Sequence, residues 1–149
     1  MILQGKSQNS KTSLNDLYDI AEENGIIVMA AECPKCKAIS LLSPNGKCYI
    51  GMDYKAMQTE SEERQYLAHD IGHCVKAAFY NPYSPFSLIE QQEYRANKWA
   101  INKLLPKDEM EEAMEQGYEE LWELSEYFDV SEDMVKFAFW VYFDIIKER

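Results

Sequence analysis

Histidine is scarce in this chain: two residues in 149, His69 and His73. Basic side chains are also few, 15 against 26 acidic ones, which leaves a formal net charge of −11. A surface of that sign repels phosphate backbones, so direct nucleic-acid binding would need a local basic patch. Lys35, Lys37 and Lys47 are too scattered to make one. No apolar run approaches the ~20 residues that cross a bilayer. Residues 1–13 are polar and lack the apolar stretch of a signal peptide. A cytoplasmic protein without membrane attachment is the expectation.

Cysteine is limited to Cys33, Cys36, Cys48 and Cys74, and in a reducing compartment these are expected as thiols. Cys33-Pro34-Lys35-Cys36 is a C-x-x-C, but no second one accompanies it and no helix follows it as a redox site would require. Cys48 is near enough in sequence to join that pair across a hairpin and hold a second metal. A lone C-x-x-C is a weak metal signal, so a hairpin with accidental spacing is preferred.

Residues 1–12 read as a disordered N-terminal arm, and residues 13–149 as a single domain. Ser13 can cap a helix over Leu14 to Asn24, stopped by Gly25. Ile26 to Ala31 is rich in β-branched residues and reads as a buried strand. A strand around Ala38 to Leu42, the turn Ser43-Pro44-Asn45-Gly46 and a return through Lys47 to Ile50 make a hairpin. Beyond it the pattern is helical. Thr59 with Glu62 opens a helix that ends near Asn81-Pro82, and Ser87 with Glu90 opens one that ends at Pro106. Shorter helices follow over Lys107 to Gln116, Glu119 to Phe128 and Glu132 to about Lys147. The fold class is α+β: a small antiparallel sheet of about three strands packed on a mainly helical domain. The last helix is apolar nearly all round, which favours core packing, with a homodimer interface or partner groove as the alternative.

His69 and His73 are four residues apart, about 400° of helical rotation, so both imidazoles leave one face and can meet one ion. This is the spacing of the zinc-peptidase motif His-Glu-x-x-His, with Asp70 where the glutamate is expected. A catalytic zinc needs a third protein ligand. Nineteen residues separate His73 from Glu93, enough for a helix–loop–helix to fold back and aim that carboxylate at the same ion. Asn97 shares the face of Glu93 and could hydrogen-bond a histidine's other nitrogen, fixing its tautomer.

Leu67-Ala68-His69-Asp70-Ile71-Gly72-His73-Cys74, then Glu93-Tyr94-Arg95-Ala96-Asn97-Lys98-Trp99-Ala100 and Leu104-Leu105-Pro106, resemble the ImmA/IrrE family of zinc-dependent metallo-endopeptidases. That family is a compact, zincin-like relative of the gluzincins, and the resemblance spans roughly residues 14 to 130. It implies zinc ligands at His69, His73 and Glu93, a general base at Asp70, and close approach of the helix to a strand or substrate at Gly72. It also implies a protein substrate, a helix-turn-helix repressor cut to release a mobile element or stress genes.

Asp70 decides how far the implication runs. In the peptidase mechanism a carboxylate takes a proton from the attacking water and hands it to the leaving amine. Aspartate is one methylene shorter than glutamate, which withdraws its oxygens by about 1–1.5 Å, and a misplacement of about 1 Å costs on the order of a hundredfold in rate. Weakened turnover, or a catalytically inactive zinc-binding module that binds a repressor or toxin–antitoxin partner without cutting it, are the two outcomes. Tyr80, Tyr83 and Tyr94 lie close enough in sequence to polarise a carbonyl, though packing or rim positions are expected for each.

Overall fold

A computed structural model describes residues 12–147. The expected N-terminal arm lies outside the described residues except for Thr12, whose amide donates to the Lys103 carbonyl at 3.2 Å. The elements are α1 (Leu14–Glu23), β1 (Ile27–Ala30), β2 (Ala38–Leu42), β3 (Cys48–Met52), a 3-10 turn (Tyr54–Ala56), α2 (Glu60–Val75), α3 (Phe86–Leu104), α4 (Lys107–Glu115), α5 (Leu121–Phe128) and α6 (Glu132–Phe143). Residues 13–100 form one compact unit, and the described residues from 101 onward, with Thr12, form another.

The first unit carries the sheet. Ser13 caps α1 reciprocally with Asp16, and α1 buries Leu17 and Ala21. The strand order is β1-β3-β2, with β2 antiparallel to β3 through the Asn45-Gly46 turn. The other pairing differs from expectation: β1 runs parallel to β3, so the three-stranded sheet is mixed. The hairpin closes locally, while β1 enters from α1 on the opposite side of β3, and its chain direction makes that pairing parallel. Central β3 is the buried strand, with Ile50 and Met52 fully enclosed. The Ile26 to Ala31 run forms an edge strand instead of a buried one. Its Ile27 and Met29 share the open face of the sheet with Ile39 and Leu41, and all four are exposed.

Cys48 opens β3 and Cys74 lies near the end of α2, with Cα atoms 6.0 Å apart, and a disulfide joins them. The expectation of four thiols is therefore corrected: only Cys33 and Cys36 are free. Cys48 is also removed from any site with the C-x-x-C. In the chain-entropy account, closing a loop of this length is worth about 3 kcal/mol.

α2 begins as the capping pattern suggests, with the Thr59 hydroxyl accepting from the Glu62 amide at 3.0 Å. The Glu62 carboxylate turns elsewhere, to the Gln58 amide and the Lys37 ammonium. The helix stops at Val75, well short of Asn81-Pro82. Ala77 adopts φ 51, and the Ala78 amide reaches back to the His73 carbonyl at 2.9 Å, a Schellman ending with alanine where glycine is usual. α3 starts at Phe86, and the Pro85 carbonyl accepts from Leu88 and Ile89. Gly72 faces α3: a Cβ there would stand 2.7 Å from the Ala96 carbonyl oxygen and 3.2 Å from its Cα. The close approach is thus to the neighbouring helix backbone.

In the second unit, Met110 and Ala113 of α4, Leu121, Leu124 and Phe128 of α5, and Val135, Ala138 and Phe139 of α6 form the core. α6 ends at Phe143 where Asp144 turns left-handed, and Trp140 remains about half exposed.

Two substitutions test the backbone argument. Gly72→Ala is expected to destabilise by about 1–3 kcal/mol through overpacking. Ala77→Gly is expected to stabilise by roughly 0.5–1 kcal/mol because it relieves a left-handed alanine. Urea unfolding midpoints at constant slope check both.

Candidate metal centre

The α2–α3 contact brings three expected residues together. His69 and His73 Nε2 lie 3.2 Å apart. Glu93 on α3 places Oε1 3.0 Å from His69 Nε2 and Oε2 3.2 Å from His73 Nε2. Among the described residues this is the one group of three whose donor atoms all lie within 4.8 Å and could hold a metal ion.

The outer nitrogens of the rings fix their tautomers. His69 Nδ1 donates to Asn97 Oδ1 at 2.7 Å, as the spacing along α3 anticipated. His73 Nδ1 donates to the Ala78 carbonyl at 2.5 Å, which the left-handed turn at Ala77 swings back under the helix. With both Nδ1 atoms protonated, each neutral ring presents an Nε2 lone pair to the other and to a carboxylate. Lone pairs at such separations repel unless a proton or cation lies between them. The donor set, two imidazole nitrogens and one carboxylate, is that of a catalytic zinc site with an open position.

Tyr80 completes the carboxylate's surroundings, its hydroxyl donating to Glu93 Oε2 at 2.6 Å. Burial pushes the Glu93 carboxyl up, but the Tyr80 hydroxyl and any proton lying between Glu93 and His69 or His73 outweigh it and hold it well below the usual range. Arg95 ties the two helices further by donating to the Lys76 carbonyl at 2.7 Å. Tyr83 is almost fully exposed, and Tyr94 lies beneath the Lys98 ammonium.

Asp70 stands apart from the triad. It is buried, and the hydroxyl of Ser40 on β2 hydrogen-bonds its carboxylate. Burial raises its pKa to about 6, against the pull of His69 and His73. Neither Ser40 nor Ala78 is visible as a site residue by spacing: one is a strand position and the other a carbonyl. Tyr80 sits in a loop, where helical periodicity says nothing.

Zinc peptidases hold their ion in this way, on two histidines one turn apart and a carboxylate from a following helix. Residues 54–139 match the peptidase family described as the IrrE N-terminal-like domain. The chain belongs to that IrrE/ImmA-like metallopeptidase family, and the match contains the whole triad, Asp70, Tyr80 and Asn97. No curated protein and no solved structure matches the chain significantly.

Metal analysis should find about one zinc per chain, lost on His69→Ala or Glu93→Gln. Asn97→Ala should keep that stoichiometry while weakening affinity by about 10–100-fold, since it removes only the hydrogen bond orienting a ligand. Competition with a chromogenic chelator measures the difference.

Proposed function

We propose that this protein is a zinc-dependent endopeptidase that cuts a protein regulator, of the helix-turn-helix repressor kind, with Asp70 as a handicapped general base. The observation that carries the reading is the convergence of His69 Nε2, His73 Nε2 and a Glu93 carboxylate oxygen, with both outer ring nitrogens already committed. When bound there, zinc supplies Lewis acidity that activates water and polarises the scissile carbonyl.

The chain's own residues do the rest. The Asp70 carboxylate takes the proton of the attacking water and returns it to the departing amide nitrogen. Its burial raises the pKa to about 6, which places it closer to neutral working pH than a free aspartate. Ser40 on β2 lies beside that carboxylate, and the Tyr80 hydroxyl holds Glu93. β2 is an edge strand packed on α2, so an extended segment of substrate can add to its unpaired side and run past Asp70. A DNA-binding repressor is basic, and a net charge of −11 draws such a partner in.

Co-expression with a helix-turn-helix repressor, followed on denaturing gels, tests the reading. Asp70→Asn should lower cleavage by about 10²–10⁴-fold. Asp70→Glu should raise it, by up to on the order of a hundredfold, because it restores the missing reach. Zinc-loaded protein that leaves the repressor intact both as wild type and as Asp70→Glu would make it a binding module instead.

A further inference from the structure

A cavity of about 520 Å³ opens between the end of α1, the β2–β3 turn and the end of α2. That volume is in the range of small-molecule sites. Ile26, Leu42, Val75 and Phe79 give it an apolar lining, and Lys47 is the one charged residue on its wall. The Cys48–Cys74 disulfide also lines it. Cys48 is buried, whereas Cys74 is partly exposed, so Cys74 is the more accessible half of the bridge.

We propose that this cavity is a site for a small carboxylate-bearing thiol, which opens the Cys48–Cys74 bridge by thiol–disulfide exchange. The apolar lining takes the thiol's aliphatic part, Lys47 takes its carboxylate, and its sulfur faces Cys74. The entering thiolate attacks Cys74 Sγ; the S–S bond breaks, and Cys48 leaves as a thiolate that takes a proton from water. A second thiol attacks the mixed disulfide and releases the Cys74 thiol and the small-molecule disulfide. Two thiols thereby supply the two electrons that reduce the bridge.

Position gives the exchange a consequence. Cys74 directly follows His73, so the bridge ties the histidine-bearing end of α2 to β3. Opening it leaves that end held only by noncovalent contacts, the Arg95 bond to the Lys76 carbonyl among them. The inference is independent of whether Asp70 supports turnover.

The charge of the thiol provides the test. Oxidised full-length protein is treated with 3-mercaptopropionate, 2-mercaptoethanol or cysteamine at equal thiolate concentration, and alkylation of Cys48 and Cys74 is followed by mass. Thiolates of different pKa differ in intrinsic nucleophilicity, so the reading is the mercaptopropionate-to-cysteamine rate ratio of the wild type divided by that of a Lys47 variant, in which the intrinsic difference cancels. Lys47→Gln is expected to lower the ratio about fivefold, the effect of one close ion pair in a well-solvated site, and Lys47→Glu to lower it further. A ratio that neither substitution changes would overturn the proposal.

Discussion

The backbone contact between α2 and α3 at Gly72 is the constraint on which the site depends. With no side chain at Gly72, the Ala96 carbonyl oxygen comes within 2.7 Å of where a Cβ would be, and the helices pack main chain against main chain. Ala96 is flanked on α3 by Glu93 one turn earlier and Asn97 one residue later. The same approach therefore sets the carboxylate against both Nε2 atoms and the amide oxygen against His69 Nδ1. Any side chain at Gly72 would move all three contacts together. This is why a single glycine, far from conspicuous by its own chemistry, governs a three-ligand geometry.

The second element is a deliberate conflict. Natural cores satisfy buried polar groups, yet here two imidazole lone pairs and an ionised carboxylate face one another across about 3 Å. The rings cannot turn away, because each outer nitrogen is already bonded, one to a side chain and one to a backbone carbonyl. The left-handed turn at Ala77 brings in that second carbonyl, which belongs to Ala78. The fold thus spends local stability on holding donors in a mutually repulsive arrangement that a cation resolves, as functional sites often do.

Much of this was legible in the residues. Paired histidines, the glutamate and the asparagine each declare themselves through helical spacing, since side chains four apart share a face whatever the tertiary context. The six helices and three strands among the described residues follow from caps, turns and periodicity. The parallel partner of β3 was not legible, because strand order is a tertiary choice between edges that local patterning leaves open. The exposure of β1 has the same origin: a β-branched run looks alike on an edge and in a centre. The early end of α2 escaped notice because alanine carries no signal for a left-handed turn. The disulfide escaped because it depends on a distance in space and on a compartment argument that the geometry overrules.

Charge distinguishes the two sites at the C-terminal end of α2. The protein as a whole is an acidic field, which enriches cations near the surface and suits both a divalent metal and a basic protein partner. Within that field the carboxylates at the site are differentiated by their neighbours. Glu93, flanked by two histidines and hydrogen-bonded by Tyr80, is held below the usual carboxylate range. Asp70, buried against Ser40, is the carboxylate pushed toward neutrality. In the proposed mechanism two acids on adjacent helices divide the roles of ligand and proton carrier by environment, the usual way one site runs both chemistries. At the same end of α2, Lys47 makes a small positive exception beside the disulfide. The helix carrying both histidines therefore ends between a site built for a cation and a cavity suited to an anion, with a single covalent bridge separating them.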